Sequence, residues 1–340
     1  VSQKKREAGK TRVFLGAPVD WSLLVRKYFL GHVRLIQNFR LMFETAVGII
    51  AESAEWTELH GYLTQFGDDR MVAGDYKAFD KRMPPMVVVE AFRILIAIAE
   101  KSGNFEPQEI QTMWTIAFDT AHPLVNFFGD CITFYGSNPS GHPLTVIINS
   151  LVNSIYVRYA YMEAGGDVAN FRKHVALVTY GDDNAMGVSK ECGFFNHTVL
   201  AEKLGLVGIT YTMPDKESIS VPFVHISQVS FLKRFWRWSE ELQAYLAPLE
   251  EESIYKMLCV MVASKTITQQ EQIAEIIRAA QASWWHYGHE VFDEKTRMLE
   301  EVITECGLSD WFAGDSRRLL THTEFVKRFE ANSKKSDWKL

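Results

Sequence analysis

The chain has 340 residues, 47% hydrophobic and 13% aromatic, enough to bury a core in two or three domains or lobes and too apolar for a disordered protein. The net charge of -6 by itself argues only weakly against nucleic-acid binding, and basic clusters stand at Lys4, Lys5, Arg6, Lys10 and Arg12, at Lys233, Arg234 and Arg237, and at Lys327, Arg328, Lys334, Lys335 and Lys339. Contact with a polyanion through patches stays open beside the plainer reading of a solvated basic face. Cys131, Cys192, Cys259 and Cys306 form no close pair, which argues against a disulfide framework or a Cys-based zinc site and favours a reducing compartment, the cytoplasm by default.

Val1 opens the chain without an apolar signal core, which reads as a processed product or an excised piece. Residues 70–76, RMVAGDY, read as a short strand, and Pro84 and Pro85 open an apolar helix that ends near Gly103. A second helix is expected from Pro143 to about Met162, with Asn149 and Asn153 four apart on one face. Asn149, Asn153 and Arg158 in that run, and Glu90 and Arg93 in the run at 86–99, argue against membrane-spanning segments. Residues 175–188, VALVTYGDDNAMGV, follow as strand, turn and strand. Beyond 240 the rhythm is helical: Ile254, Met257, Leu258, Met261 and Val262 fit one face, Ile273, Ile276, Ile277 and Trp284 a second, and Met298, Leu299, Val302, Ile303 and Cys306 a third. Thr268 and Glu271 make a capping box before the second of these. The Met and Trp residues of this helical lobe read as core rather than as cofactor ligands.

Adjacent side chains of a regular strand point to opposite faces, so Asp182 and Asp183 converge only if the backbone turns between the two apolar runs. Gly181 and Asn184 permit such a turn. Buried arms with a charged tip suit a divalent cation, which makes clustered carboxylates tolerable; on the hairpin alone, a solvated Asp-rich turn reads equally well. A second Gly-Asp-Asp at residues 67–69 lacks an apolar run ahead of it and reads as a surface loop leading into a strand. Asp75 ends the strand RMVAGDY, and Asp80 follows five residues later. Should that strand lie beside the hairpin, Asp75 and Asp182 face each other at the sheet edge and suit two Mg²⁺ ions about 3.5 to 4 Å apart. One ion would activate a sugar hydroxyl and the other would stabilise leaving pyrophosphate, the chemistry of phosphoryl or nucleotidyl transfer.

DYKAFD (Asp75 to Asp80), NPSGHPLTVIINS (Asn138 to Ser150), YGDD (Tyr180 to Asp183) and FLKR (Phe231 to Arg234) resemble, in order and spacing, motifs A, B, C and E of RNA-dependent RNA polymerases, above all those of picorna-like positive-strand RNA viruses. GKTR (Gly9 to Arg12) resembles the end of motif F, and MPDKES (Met213 to Ser218) looks like the lysine segment of motif D. The resemblance runs from about residue 5 to 236; the last third is similar to a thumb in character only. It implies an α+β right-hand polymerase fold: fingers remnants at 1–17 and 104–139, an antiparallel-sheet palm at 18–103 and 140–240, and a helical thumb at 241–340. Since the chain starts inside motif F, most of the fingers are expected to lie outside it, and the piece is expected to fold and bind metal yet polymerise poorly. His142-Pro143 after Ser140-Gly141 departs from the enterovirus-type pattern and fits other picorna-like branches better.

The resemblance also implies roles. Asp75 and Asp182 would be the principal ligands of two Mg²⁺ or Mn²⁺ ions, with Asp183 and the Tyr76 carbonyl assisting. Asp80 and Asn149 would bond to each other and to the 2′-OH of the incoming ribonucleotide, with Ser140, Gly141 and Thr145 shaping that pocket. Lys216 would protonate pyrophosphate, Lys5 and Arg12 would neutralise the triphosphate, with Lys4 and Arg6 competing with Lys5, and Lys233 and Arg234 would grip the primer strand. The partners implied are an RNA template and primer, ribonucleoside triphosphates and other viral replication proteins, in membrane-associated complexes of the host cytoplasm; a viral protein primer stays open. A reverse transcriptase shares the Asp75 and Asp182 chemistry but excludes the 2′-OH with a bulky residue, against which Asp80 and Asn149 speak. A catalytically silent RNA-binding palm is the competitor from another class.

Overall fold

Residues 7, 15–215, 218–314 and 317–336 are described by a computed structural model of the chain. In chain order its main elements are α1 (Val19–Asn38), α2 (Glu55–Leu63), β1 (Met71–Tyr76), α3 (Pro85–Ser102), α4 (Pro107–Ala121), β2 (Leu124–Phe127), β3 (Asp130–Thr133), α5 (Thr145–Glu163), β4 (Val175–Tyr180), β5 (Asp183–Val188), α6 (His197–Leu206) and β6 (Tyr211–Thr212). There follow β7 (Arg237–Ser239), β8 (Ala244–Leu246), α7 (Glu251–Cys259), α8 (Gln269–Trp285), α9 (His289–Glu305) and α10 (His322–Ser336). The chain divides into two units, one comprising residues up to Gly48 with Val72–Phe223, the other Ile49–Met71 with Val224–Leu340.

The first unit is built on a four-stranded sheet in the order β4-β5-β1-β6. β4 and β5 are antiparallel in a register that sets Tyr180 opposite Asp183 and Val175 opposite Val188. β1 and β6 are antiparallel, with Asp75 opposite Thr212. Proline at the first turn starts α3, and Gly103 ends it in the left-handed conformation at φ 67. α5 begins at Thr145, two residues after the expected Pro143, because residues 142–144 are held in a turn: the Leu144 N–H donates to His142 Nδ1 at 3.0 Å, and Thr145 Oγ1 lies within hydrogen-bond reach of the carbonyls of Pro139 and His142. α5 is buried on most sides, with Ile147, Ile148, Leu151, Val152, Tyr156 and Val157 in a core shared with Phe29, Phe92, Leu177 and Met186. A helix so enclosed carries Asn149 and Asn153 into the interior, where a polar side chain must find partners.

On the outer side of β4, Thr45 bridges Thr179 in the parallel sense. The neighbouring Glu44, at φ 54 and 2% exposed, takes Arg158 of α5 on both oxygens, one at 2.7 Å, and accepts from Ser154 Oγ at 2.8 Å. This bidentate pair fastens α5 to the loop that lines β4.

The second unit is mainly helical. Thr268 and Glu271 cap α8 reciprocally, as expected. Ile254, Ile277, Trp284, Leu299 and Ile303 form one core, and Trp285, Phe292, Phe325 and Phe329 a second. α7 stops at Cys259 because Val260 turns extended, at φ -130. Met261 and Val262, expected on its apolar face, therefore lie outside it, and Val262 is 83% exposed. Val302 is likewise on the solvent side of α9, and Cys306 is its exposed C-cap. Among the described residues no helix is long and apolar enough to cross a membrane.

Candidate active site

β1 and β5 are neighbours in the sheet, so Asp75 and Asp183 belong to adjacent strands, with Asp182 in the turn that precedes β5. The tip turns at Gly181, φ 64; a Cβ there would meet only Val146 at 4.0 Å, so glycine serves the backbone angle rather than space. Asp182 is exposed and Asp183 half-buried, as is Asp75. Gly74, immediately before Asp75, has the opposite reason: a Cβ would lie 2.3 Å from the Tyr211 ring and 2.6 Å from the Thr212 carbonyl.

Two α5 side chains hold the tip from below. Ser150 Oγ accepts the Gly181 N–H at 2.9 Å. Asn153, fully buried, directs Nδ2 at the carbonyls of Gly181, Asp182 and Asp183 at 3.0, 3.0 and 3.3 Å, while its Oδ1 accepts from the Tyr76 hydroxyl at 3.0 Å. One amide thereby ties β1, α5 and the Gly-Asp-Asp turn together. Burial pushes the Tyr76 hydroxyl well above the usual tyrosine range, helped by Tyr211, Tyr156 and Asp182, so it stays a donor. Tyr211, also raised by burial, donates to Asn184 Oδ1 at 2.7 Å. The other Gly-Asp-Asp, at residues 67–69, lies in a loop before β1, where Asp68 stands 3.3 Å from the His225 imidazole and its carbonyl accepts from Ile226.

A second cluster forms where the 137–144 loop meets α5. Asn149 Nδ2 donates to Asp80 Oδ1 at 2.6 Å, and Ser140 Oγ donates to Asp80 Oδ2 at 3.3 Å. Asn138, 2% exposed, donates through Nδ2 to Asn149 Oδ1 at 2.7 Å and to the Thr145 carbonyl at 3.2 Å. Gly141, at φ 117, packs where a Cβ would sit 2.9 Å from the Leu15 carbonyl. His142 lies beneath, its pKa lowered to about 4 by burial: Nδ1 accepts from Leu144, so the neutral ring carries its proton on Nε2, 3.2 Å from Thr120 Oγ1.

Lys5, Arg12 and Lys216 lie outside the described residues. Lys233 and Arg234 belong to the second unit, in a two-residue turn closed by reciprocal backbone bonds between Phe231 and Arg234. Leu232 and Lys233 both have positive φ, 54 and 60, which makes it a type I′ turn without glycine. Lys233 is solvent-facing, its ammonium 3.3 Å from Ser253 Oγ and 3.8 Å from Glu250. The Arg234 guanidinium instead donates to the Ala247 carbonyl at 2.7 Å and lies 3.9 Å from Glu52; burial lowers its pKa against the pull of Glu52. Much of its hydrogen-bonding capacity is thus used inside its own unit.

Sequence reasoning assigned no role to Asn138, Ser150 or Asn153. Only the four-residue spacing of Asn149 and Asn153 hinted at the last of these.

Among the described residues, no group of three or more His, Cys, Asp or Glu side chains stands close enough to form a complete metal cage. The carboxylates of Asp75 and Asp183, on neighbouring strands, and of Asp182, in the turn before Asp183, are hard oxygen donors. Mg²⁺ keeps several waters and takes one or two protein carboxylates with substrate phosphates, so such a donor set fits Mg²⁺ or Mn²⁺ and not a closed zinc site.

Among solved structures, a Sicinivirus 3Dpol RNA dependent RNA polymerase matches 96% of this chain and 64% of its own length, with a TM-score of 0.77 at 19% identity, which defines the fold as that of a viral polymerase. The family model for viral RNA-dependent RNA polymerase matches residues 1–302, and the chain belongs to that family. It is 30% identical over 272 residues to the replicase polyprotein of Cricket paralysis virus, a match covering 75% of this chain and 15% of that protein. It is 27% identical over 303 residues to the RNA1 polyprotein of Cowpea mosaic virus, covering 86% and 16%. The chain therefore spans a small part of these polyproteins and less than two thirds of the solved polymerase.

Proposed function

We propose that this chain carries out template-directed RNA synthesis, adding ribonucleoside monophosphates from triphosphates to an RNA 3′ end during replication and transcription of a viral genome. The observation that carries the reading is the placement of Asp75 on the strand beside the Asp182-Asp183 hairpin, with the bonded pair of Asp80 and Asn149 rising from the same unit. Asp75, Asp182 and Asp183, with the Tyr76 carbonyl, would hold two Mg²⁺ or Mn²⁺ ions, which when bound neutralise the triphosphate and favour the ionised 3′-hydroxyl. Asp80 and Asn149 bind the ribose 2′-OH; a deoxyribose would leave the half-buried Asp80 and the buried Asn149 without that partner. Ser140, Gly141 and Thr145 shape that pocket. Lys5 and Arg12 neutralise the triphosphate, and Lys216 gives a proton to departing pyrophosphate. Lys233 meets the primer backbone with its exposed ammonium, and Arg234 supports the same contact chiefly by bracing the turn.

In this reading residues 1–17 and 104–139 are fingers, 18–103 and 140–240 palm, and 241–340 thumb. RNA template and primer, ribonucleoside triphosphates, a viral protein primer and other replication proteins are the partners, in membrane-associated complexes of the host cytoplasm. Primer extension on an RNA template with ribo- or deoxyribonucleotides tests the reading: extension is expected with ribonucleotides, dependent on Mg²⁺ or Mn²⁺ and abolished by Asp182→Asn. Preference for deoxyribonucleotides would identify a reverse transcriptase, and RNA binding with no extension a silent palm.

A further inference from the structure

We infer that Asn138 is a specificity-determining positioning residue: it fixes the amide of Asn149, and through it Asp80, in the one orientation that recognises a ribose 2′-OH. The inference rests on the proposed polymerase reading of Asp80 and Asn149. Three side chains form a directional chain, Asn138 Nδ2 to Asn149 Oδ1 at 2.7 Å and Asn149 Nδ2 to Asp80 Oδ1 at 2.6 Å. An ionised carboxylate only accepts, so the Asp80 end dictates the direction of every bond. Asn149 must give its NH₂ to Asp80, its Oδ1 must then face Asn138, and Asn138 must donate.

The reversed Asn138 amide is excluded twice over, since its oxygen would oppose both Asn149 Oδ1 and the Thr145 carbonyl, which the NH₂ now contacts at 3.2 Å. The chosen orientation leaves Asn138 Oδ1 buried without a hydrogen-bond partner among the described residues. A buried acceptor left unsatisfied is unfavourable for folding, so the side chain is held there for its donors. The backbone supplies a separate clamp: the Asn138 N–H donates to the Asp80 carbonyl at 2.9 Å. Side-chain replacement spares that bond, which separates recognition from loop placement.

Without the Asn138 NH₂, Asn149 Oδ1 loses its fixed donor, and the Asn149 amide gains freedom to rotate away from Asp80. The ribose hydroxyl, both donor and acceptor, would then meet a pair that no longer presents one NH₂ and one carboxylate at set positions. The triphosphate contacts do not involve this chain of bonds, so binding of a 2′-deoxynucleotide should be indifferent to Asn138.

The test is equilibrium calorimetric titration of the full chain with ATP and with dATP, each with Mg²⁺, for wild type, Asn138→Leu and the isosteric Asn138→Asp. Circular dichroism confirms that each variant is folded, and Asn138→Asp keeps the test available should Leu disrupt the loop. Wild type is expected to prefer ATP. Both variants are expected to lose about tenfold in the ATP to dATP affinity ratio, the scale of one hydrogen bond, through weaker ATP binding at constant dATP affinity. An unchanged ratio in folded variants overturns the inference, as does parallel weakening of both nucleotides, which a merely structural role would give. Equal binding of ATP and dATP by wild type overturns the underlying ribose reading, and the inference with it.

Discussion

Asn153 offers the sharpest test of how the hairpin tip is held. In Asn153→Ala the Tyr76 hydroxyl, in a ring 3% exposed, loses its acceptor where water cannot replace it. The carbonyls at the exposed end of the turn can recover water. Two amide hydrogens at about 1 kcal/mol each, plus a stranded buried hydroxyl at about 1 to 3 kcal/mol, give a loss of about 3 to 5 kcal/mol. Tyr76→Phe removes the hydroxyl and strands Asn153 Oδ1 instead, at about 1 to 3 kcal/mol. In the double variant neither group is stranded by the other, so the two losses should not add, and a coupling of about 1 to 2 kcal/mol is expected. Urea unfolding of the four proteins of this cycle, followed by circular dichroism, measures it. Additivity within about 0.5 kcal/mol would refute the coupling of β1 to the tip through this amide.

Glu44→Gln should lower stability by about 3 to 5 kcal/mol by leaving Arg158 without its buried carboxylate, and Arg158→Met should restore part of that loss in the Gln background; thermal melting reports both. Gly74→Ala should lower the melting temperature and weaken Mg²⁺ binding together, because the new methyl displaces Tyr211 or Thr212 beside Asp75; a variant as stable as wild type contradicts the packing described. His142 and His286 have folded pKa values lowered to about 4 and about 3, both chiefly by burial, with Arg234 adding to the second. The unfolded chain therefore takes up their protons first, so their stabilisation is complete above about pH 6.5 and lost as pH falls toward 4 and then 3. Between pH 7 and 5 each should cost about 2 kcal/mol, and His142→Gln should remove its share from the slope of urea-unfolding stability against pH.

The strand before Asp75, the helix between Pro85 and Gly103 and the Gly-Asp-Asp hairpin were legible because their signals are local: proline and glycine at helix ends, and apolar runs around a turn. The start of α5 was not, since the His142 ring and the Thr145 hydroxyl that hold the preceding turn look like ordinary loop residues in sequence. Apolar spacing carried α7 too far, because Met261 and Val262 continue the pattern after the backbone has left the helix at Val260. Residues 49–71 gave no sign that they join the helical unit, which depends on distant bonds such as Trp56 Nε1 to the Phe235 carbonyl at 3.0 Å. In the site, the pairing of Asp80 with Asn149 was readable only through family resemblance. Asn138 was not readable, and Asn153 only through its four-residue spacing from Asn149, because a buried asparagine is distinguished by partners that only the folded chain supplies. Arg234 illustrates the converse, a basic residue in a recognisable motif whose guanidinium the fold itself engages.

The turn from Phe231 to Arg234 has a consequence for selection. A chain chosen only to fold would place Asn-Gly at its two left-handed positions, whereas Leu232 and Lys233 stand there, each at an expense of about 1 to 2 kcal/mol. Against a typical folding margin of about 5 to 15 kcal/mol the two together are large, and glycine at each position would recover its share. Lys233→Gly would then raise stability while deleting the charge the turn holds outward at its tip, whereas Leu232→Gly would raise stability and leave that charge in place, so the two variants separate the shape of the turn from its charge.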